Sequence, residues 1–458
     1  MKKNKIIPLI LSLAMGLSAC GGSNSGTDAK TTGEGVGKGH KGDITATVDF
    51  DGDKIKSIET VHSETEGLGD QAIEKLTDEV VANNSVKVDT VSGATNSSVG
   101  FLEAVTAAIA DSGRDVKNFQ NEVAAKDTKE KTDSTKDVDV VVVGGGGAGF
   151  AAAVTAKEDG ANVVLLEKMP QVGGNTLISG GEMAAPDNEL QKEEGIEDSK
   201  EQFAKDVKEA GGDPELIDVL ADHATEDAYW LRDDIGVHWL DSLMFFGGHS
   251  VKRSLIPEAH SGNELIKNYT KKCDELGIDV ITEADVKEIL TKDDKVVGVK
   301  AETPDGKLTV NAKSVVLATG GFGANDDMTY EYDHEIDEHI KSTNAPGATG
   351  DGIKMAEKLN ADTVDMDQIQ LYPICDVDTG RILYTGDTRL VGGALLVNKE
   401  GDRFVEELAT RREISLAIKD QTDHVGYLIW DEKSNKETGT MESNPEEAKE
   451  EFDKGNLY

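Results

Sequence analysis

A glycine-rich turn between a run of valines and a helical pattern constrains the fold of this chain most strongly. Residues 140–143 are all valine, and Gly144-Gly-Gly146-Gly-Ala-Gly149 follows, before an alanine-rich stretch. This order is typical of a buried parallel strand, a tight turn at Gly144 and a helix packed closely at Gly149, with Gly146 open to a diphosphate. A second apolar run ends at Glu167, whose carboxylate is placed to accept hydrogen bonds from ribose hydroxyls. The sequence therefore predicts an α/β domain that binds a dinucleotide.

Length and charge bound the architecture and the partners. A chain of 458 residues exceeds what one hydrophobic core usually serves, which predicts two or three domains. The formal net charge is −40, and this argues against nucleic acid as a partner because phosphates are bound by lysine and arginine. We interpret the acidic surface as a means of keeping the protein in solution.

The N-terminus carries the pattern of an export signal. Three lysines within the first five residues precede an apolar run, 6–15, that is too short to span a bilayer. Leu-Ser-Ala-Cys20 follows, as in bacterial lipoprotein signals. Residues 1–20 are therefore predicted to be a lipoprotein signal peptide, with Cys20 as the lipid anchor on the extracytoplasmic face of the cell membrane. An ordinary secretory signal with a chance cysteine is the alternative, and residues 21–38 are predicted to form a flexible tether.

Residues 39–112 form a separate small α+β unit. Alternating runs at 44–50 and 54–61 predict a hairpin, since an Asp-Gly-Asp turn separates them. Helical patterns follow at 71–83 and 99–112. The next residues, up to position 136, are charged and poor in large apolar side chains, so 113–136 is predicted to be an interdomain linker.

The segment between these two helices resembles a flavin attachment site. It reads Asp89-Thr-Val-Ser-Gly-Ala-Thr95, and Glu64-Thr-Glu-Gly67 precedes it. Both motifs are similar to those of the small FMN-binding domain family, in which a flavin transferase esterifies the phosphate of FMN to a threonine. The resemblance implies covalent FMN on Thr95. The alternative is a Ser/Thr-rich turn that caps the following helix.

Further glycine-rich motifs extend a second resemblance over residues 137–458. Gly-Gly-Asn-Thr176 and Ser-Gly-Gly181 follow the dinucleotide motif, a buried strand ends at Gly321, and Thr-Gly-Asp351-Gly opens a helix. Together they resemble the soluble fumarate reductase flavoproteins, relatives of the succinate dehydrogenase flavoprotein. The resemblance assigns noncovalent FAD to Gly144, Gly146, Ala148, Gly149, Glu167, Lys168, Gly173, Gly174, Asn175, Thr176, Gly180, Gly181, Thr319, Gly320, Gly321 and Asp351.

This resemblance also implies the architecture. The fold class is α/β: a Rossmann-like FAD-binding domain at 137–364 follows the FMN-binding domain and is covered by a mobile capping domain at 365–458. In this family the chain then returns to complete the FAD-binding domain, with further substrate-binding histidine and arginine residues. The sequence ends at Tyr458, inside the expected cap, so we expect that the C-terminal part is absent and that the sequence is truncated.

The chemistry that the family performs needs a proton donor. Reducing a 2-enoate requires a hydride at one carbon, supplied by reduced flavin, and a proton at the neighbouring carbon. The family's donor is an arginine, and the matching stretch from Asn398 places Arg411 at this position. Arg412 stands beside it, and an exposed arginine at a helix start is the alternative. Electrons are expected to come from a membrane donor through the FMN.

Two positions indicate the substrate. Tyr372-Pro stands where fumarate reductases carry His-Pro, and Leu390, beside Arg389, stands where they carry an arginine. Losing these groups removes partners for a second carboxylate, whereas a phenol face and the nearby carboxylate of Asp387 suit a flat ring with an N–H group. The pair resembles that of urocanate reductases, so the predicted reaction converts urocanate to imidazole propionate. Packing by Tyr372 and a turn role for Asp387 are the alternative.

One histidine and several rival functions remain. His249 lies in a stretch that matches a family segment near the flavin, and it is predicted to contact flavin or substrate; a histidine hydrogen-bonded in the interior is the alternative.

Fumarate, methacrylate or arylacrylate reduction is the rival activity. A lipoprotein that carries electrons on flavin without substrate chemistry is the non-enzymatic rival. No metal site is predicted, and the absence of a Cys-x-x-Cys-His motif argues against haem as the electron source.

Overall fold

The computed structural model describes residues 29–65, 67–91, 93–121, 131–377, 380–391 and 393–458. In these ranges the chain forms a small N-terminal α+β domain, a larger α/β domain and a C-terminal region of short elements. The signal peptide and Cys20 lie outside the described residues. None of the helices in the described ranges is both long and apolar enough to cross a membrane.

The N-terminal domain packs two helices on a three-stranded antiparallel sheet. Its elements are β1 (Thr32–Lys38), β2 (Asp43–Asp51), β3 (Lys54–Val61), α1 (Gly69–Asn83) and α2 (Thr95–Asp111). The predicted hairpin and both helices are present, each helix beginning two to four residues earlier than its periodicity indicated. Alternate side chains of β2 and the apolar faces of both helices form the core.

The first strand corrects the predicted tether, because residues 32–38 belong to the sheet. Its buried positions are Gly33, Gly35 and Gly37, and a Cβ on any of them would come within 2.3 Å of a backbone atom of α2. Helix α2 therefore lies directly on the backbone of the strand. Since these positions bury no side chain, the strand leaves no apolar alternation in the sequence.

The C-terminal end of the domain shows that the predicted linker is too long. Residues Val116–Phe119 form a 3-10 helix, and the buried ring of Phe119 packs edge-on against Phe50 at 5.9 Å between centroids. The next strand, β4, starts at Ser134. The domain therefore extends from Thr32 to Phe119, and only part of 113–136 connects it to the next domain.

The second domain is built on a six-stranded sheet. Its main elements are β4 (Ser134–Val143), α3 (Gly147–Glu158), β5 (Val163–Leu166), α8 (Asn263–Leu276), β9 (Asp279–Ile281), β10 (Asp285–Lys292), β11 (Lys295–Thr303) and β12 (Gly306–Leu317). The strand order is β10-β11-β12-β4-β5-β9. Strands β12, β4, β5 and β9 run parallel, and the β10–β12 meander is antiparallel. Helices α3 and α8 cover one face, where the rings of Phe150 and Tyr269 stack at 5.6 Å. The predicted strand-turn-helix-strand order is confirmed.

An insertion between β5 and β9 carries a second, smaller layer. It contains α4 (Gly174–Ile178), β6 (Met183–Ala184), α5 (Glu189–Glu194), α6 (Lys200–Ala210), α7 (Pro214–Trp230), β7 (Trp239–Met244) and β8 (Ser254–Pro257). The fully buried Arg253 holds it together by bonding both carboxylate oxygens of Asp198, at 2.9 Å each, and Asp206 at 2.6 Å. Asp198 lies just before α6 and Asp206 lies within it, so this paired charge ties α6 to the start of β8.

The C-terminal region consists of short elements. They are α9 (Asp326–Tyr332), α10 (Asp351–Glu357), a 3-10 helix (Tyr384–Val391), β13 (Leu395–Val397), α11 (Arg411–Lys419), β14 (Tyr427–Ile429), α12 (Glu432–Thr438), α13 (Thr440–Ser443) and α14 (Pro445–Lys454). Strands β13 and β14 pair antiparallel. Helix α14 is tied to the segment before the 3-10 helix, because Arg381 pairs with Glu450 at 2.9 Å and Lys454 pairs with the buried Asp376 at 2.9 Å.

The close packing of α3 on β4 predicts the effect of one methyl group. A Cβ on Gly149 would lie 1.9 Å from the carbonyl oxygen of Gly144, and neither backbone can yield without moving the turn. We expect Gly149→Ala to lower the free energy of unfolding by about 1–3 kcal/mol. Urea unfolding measures this. Gly247→Ala, where a Cβ meets open space, is the control and should stay within about 0.5 kcal/mol of the parent; equal midpoints for both variants would contradict the packing argument.

Candidate active site

The glycine turn after β4 shapes the floor of the site. Gly144 turns the chain with φ of 108°, and a Cβ there would lie 2.3 Å from the carbonyl oxygen of Ala318 at the end of β12. At Gly146 a Cβ would meet only the carbonyl oxygen of Gly173, at 3.8 Å. The N-terminus of α3 begins directly after Gly146, without a side-chain cap at that residue. The turn thus leaves free space and backbone N–H groups where a diphosphate can bind.

Glu167 stands at the end of β5, beside this turn. Its carboxylate is buried and accepts hydrogen bonds from the backbone N–H of Gly145 at 2.8 Å and of Met169 at 2.7 Å. The two bonds fix the side chain at the carboxyl edge of the parallel sheet. In such sheets ligands bind outside this edge, so the acid is held where the prediction requires it.

A cavity of about 1190 Å³ opens above the turn and the acid. Typical pockets for drug-sized ligands measure about 300–1,000 Å³, so this cavity can hold a dinucleotide flavin. Among the predicted FAD residues the lining contains Gly144, Gly146, Ala148, Glu167, Lys168, Gly174, Asn175, Thr176, Thr319, Gly320 and Asp351. The glycine wall, the fixed acid and the volume together fit FAD.

The other five predicted FAD residues do not line this cavity: Gly149, Gly173, Gly180, Gly181 and Gly321. At least three of them serve packing instead, and Gly149 does so against the carbonyl oxygen of Gly144. A Cβ on Gly173 would lie 2.6 Å from the Cβ of Leu177, and one on Gly181 would lie 2.9 Å from the backbone nitrogen of Gly262. Glycine motifs alone could not separate close packing from contact with a ligand, because both require a missing side chain.

A lysine network joins the cavity to α10. The ammonium of Lys168 donates to Thr349 Oγ1 at 2.7 Å and to Asp351 Oδ2 at 2.6 Å, and Thr349 donates to the same carboxylate oxygen at 2.8 Å. Burial alone would raise the pKa of Asp351, but these hydrogen bonds outweigh it and lower the pKa below its ordinary value. Asp351 is therefore an anion beside the cavity.

The N-terminal domain lines the same cavity, which the sequence did not reveal. The residues it contributes are His40, Lys41, Thr65, Leu68 and Gly93. Thr95, the predicted FMN carrier, is exposed at the first residue of α2, two positions past Gly93. No local pattern marks these contributions, because they depend on how the two domains pack.

The buried Glu64 organises this part of the domain. Its carboxylate accepts a hydrogen bond from Ser97 Oγ at 2.5 Å and another from the backbone N–H of Lys41 at 3.0 Å. It therefore ties the loop after β1 to the first turn of α2, which carries Thr95. Next to it, burial lowers the pKa of His40, partly countered by Glu64, and Arg381 of the C-terminal region lowers it further.

The structure separates two neighbouring arginines that the sequence left ambiguous. Arg411 is the first residue of α11, and its guanidinium carbon lies 5.1 Å from the centre of the Tyr372 ring. Arg412 turns elsewhere and pairs with Asp333 at 2.6 Å and Glu335 at 2.7 Å. The two residues predicted to act on the substrate, Arg411 and Tyr372, are thus brought together from positions far apart in the sequence. Neither belongs to the lining of the cavity.

A hairpin connects Tyr372 to the predicted acid. Cys375 and Ile382 pair antiparallel, and the N–H of Leu383 donates to the carbonyl of Ile374 at 3.2 Å. The chain therefore returns toward Tyr372 as it enters the 3-10 helix that contains Asp387. The side chain of Asp387 lies outside the described part of the structure, so its role stays a prediction.

Arg389 and His249 both make contacts within the protein. Arg389 is buried and donates to the carbonyl oxygen of Glu407 at 3.0 Å. The ring of His249 packs edge-on against Phe203 and Phe246, at 6.2 Å and 6.3 Å, and burial followed by the charge of Arg253 lowers its pKa. His249 is not among the residues that line the cavity, and its contact with flavin or substrate stays a prediction.

The chain matches two known protein families. Residues 139–427 match the FAD binding domain family and residues 39–110 match the FMN-binding domain family. Urocanate reductase of Eggerthella lenta is 44% identical over an alignment that covers 97% of this chain and 76% of that protein. This chain belongs to the fumarate reductase family of FAD-dependent oxidoreductases.

More distant members agree with this assignment. The NADH:fumarate oxidoreductase of Klebsiella pneumoniae is 35% identical, with 85% of this chain and 42% of that protein aligned. The solved open conformation of a flavocytochrome c3 fumarate reductase is 37% identical and has a TM-score of 0.62, over 68% of this chain and 56% of that one. The chain thus spans about half the length of these two relatives.

The loop that leads to Arg411 depends on a buried carboxylate, which predicts a pH dependence. Glu407 accepts hydrogen bonds from Arg403 Nη2 at 2.7 Å and from the N–H of Leu396 at 2.8 Å, and the bonds from Arg403 are the main reason why its pKa falls to about 2. A carboxyl whose pKa is lowered on folding stabilises the fold above its ordinary pKa and ceases to do so as pH falls toward the lowered value. We expect Glu407→Gln to cost about 1.5–3 kcal/mol at pH 7.

This difference should shrink as the pH falls from about 4.5 toward 2, where the parent's carboxyl also becomes protonated. Unfolding free energies of both proteins at pH 7, 4 and 3 measure it. Glu406→Gln, which removes an exposed partner of the same arginine, is the control and should change stability by less than about 1 kcal/mol. A Glu407→Gln effect that does not depend on pH would contradict the assigned charge.

Proposed function

We propose that this chain is an exported, lipid-anchored reductase that reduces the carbon–carbon double bond of urocanate to give imidazole propionate. The observation that carries the proposal is the contact between the Arg411 guanidinium and the Tyr372 ring. It joins a proton donor to an aromatic surface, where fumarate reductases are expected to carry a histidine. The 44% identity to a urocanate reductase supports the same substrate.

Recognition of the substrate ring is assigned to Tyr372 and Asp387. A phenol face packs on a flat imidazole ring, and a carboxylate accepts a hydrogen bond from its N–H. The hairpin between these residues borders the cavity through Gly380, Arg381 and Ile382. The substrate would therefore lie between this hairpin and the flavin site.

Proton transfer is assigned to Arg411. Reduced FAD, when bound, would supply the hydride to one carbon of the double bond. Arg411 donates a guanidinium proton to the neighbouring carbon and regains one from water, which reaches the exposed side chain. Its contact with Tyr372 would hold the guanidinium beside the substrate ring. Negative charge that develops on the substrate would favour the proton transfer. Arg412 cannot take this role without giving up its two carboxylate partners.

Electron supply and location complete the proposal. Thr95 is exposed, as a flavin transferase requires, and a phosphoester there would lie at the N-terminus of a 17-residue helix, where negative charge is favoured. Covalent FMN on Thr95 would receive electrons from a membrane donor. Lipid on Cys20 would hold the protein on the outer face of the membrane, close to that donor.

The two arginines provide a matched pair of variants. Arg411→Ala should lower kcat for urocanate reduction by about 10²–10⁴-fold, because the proton donor is lost. Arg412→Ala removes a partly exposed ion pair and should lower kcat less than about tenfold. Steady-state rates, normalised to FAD content, measure both. Similar losses in the two variants would show that Arg411 is not the acid.

Substrate choice tests the ring-recognition argument. We expect anaerobically reduced protein to be oxidised by urocanate much faster than by fumarate or cinnamate. Asp387→Asn should lower kcat/KM for urocanate by about ten- to a hundredfold, since it loses a charged hydrogen bond. Asp402→Asn, an exposed acid of the same region, is the control.

Stopped-flow absorbance of the flavin follows these reactions. Oxidation by fumarate or cinnamate at the rate seen with urocanate would contradict the assignment of Tyr372 and Asp387. No oxidation by any enoate would favour the electron-carrier alternative.

A further inference from the structure

We propose that the FMN-binding domain docks on the FAD-binding domain through a contact centred on Leu68 and Gln171, and that this docked arrangement is the one in which electrons pass between the flavins. We call these two residues, together with Gly67 and Asn263, the docking contact. The inference rests on the proposed function for the position of FMN on Thr95. It concerns residues that have no part in binding or reducing the substrate.

Leu68 joins the two domains physically. Its side chain packs against the hydrophobic core of the N-terminal domain and also against the core between the sheet and helices α3 and α8. It precedes α1: its N–H donates to the carbonyl oxygen of Thr65 at 3.1 Å, and its carbonyl oxygen accepts from the N–H of Ala72 at 3.1 Å. A leucine shared by two cores fixes the distance between them, because each core loses buried apolar surface if they separate.

Gln171 adds direction to this apolar contact. It lies in the loop after β5, four residues past Glu167, and lines the FAD cavity. Its side-chain N–H group donates to the carbonyl oxygen of Leu68 at 3.1 Å and to Oε1 of Gln71 at 3.3 Å. One amide of the FAD-binding domain thus recognises the start of α1.

Two glycines of the predicted FMN motifs face the other domain closely. A Cβ on Gly67 would lie 2.7 Å from Oδ1 of Asn263 at the start of α8. A Cβ on Gly93 would lie 3.5 Å from the methyl carbon of Met169. Both glycines therefore lie against the FAD-binding domain, and a side chain on Gly67 would have to displace the amide of Asn263.

The docked arrangement places both cofactor sites on one cavity. Lys41, Thr65 and Gly93 share its wall with the glycine turn after β4. Thr95 follows Gly93 by two residues, so a flavin attached there can reach this wall from the rim. Breaking the docking contact should therefore slow electron transfer between the flavins more than it slows the reaction of FAD with substrate.

Two variants disrupt the docking contact, one in each domain. Gln171→Glu keeps the size of the side chain but replaces the donating amide by an acceptor, which repels the Leu68 carbonyl. Leu68→Asp removes the shared apolar side chain from the FMN-binding domain. Gln120→Glu adds the same charge as Gln171→Glu at an exposed position of the N-terminal domain and is the matched control. Gln171→Glu does not touch the core of the N-terminal domain, so it remains informative if Leu68→Asp fails to fold.

The first readout needs no activity. Small-angle X-ray scattering of the holoprotein should give one compact particle for the parent and for Gln120→Glu, and a larger radius of gyration for both docking variants. A radius of gyration that is the same in all four proteins would overturn the docking contact.

The second readout separates the flavins in time. Fully reduced holoprotein is mixed with urocanate, and Thr95→Ala identifies the FAD phase because it lacks FMN. We expect the ratio of the FMN rate to the FAD rate to fall at least about tenfold in Gln171→Glu. The ratio removes any effect that this cavity-lining residue has on FAD itself. An FMN phase as fast as that of Gln120→Glu would refute the inference. If no enoate oxidises the parent, the proposed function fails, and scattering alone still decides whether the domains dock.

Discussion

The close approach of helix α3 to the end of strand β4 is the constraint on which the site depends. The carbonyl oxygen of Gly144 lies where a side chain on Gly149 would begin. Because the helix starts directly after this turn, its N-terminus and Gly146 lie at the carboxyl end of the parallel strands and line the cavity. Glu167 is fixed to the same turn through Gly145. A flavin site at this edge follows from that packing.

Three parts of the chain are each held in place by a buried polar group. Glu64 ties the start of α2 to the loop after β1 in the N-terminal domain. Glu407 ties the loop before α11 to β13. Arg253 holds the insertion together. Glu64 and Glu407 therefore fix the segments that carry Thr95 and Arg411.

Sequence patterns predicted those parts of the fold whose signals are local. The strand and helix around the glycine turn, the N-terminal hairpin and helices α1 and α2 all follow from periodicity and turn residues. Strand β1 was missed because its buried positions are glycines, which carry no apolar signal. The pairing of Arg412 with Asp333, the packing of His249 and the sharing of one cavity by two domains depend on tertiary neighbours, which no local pattern encodes.

FAD is expected to bind over the glycine turn, and the open space at Gly146 allows a direct measurement. Apoprotein titrated with FAD and followed by flavin fluorescence should bind one FAD per chain. Gly146→Val should abolish this binding with little change in thermal stability, because the added methyl groups enter the cavity and not the core. Binding of FAD by Gly146→Val with unchanged affinity, or no binding by the parent, would contradict the account.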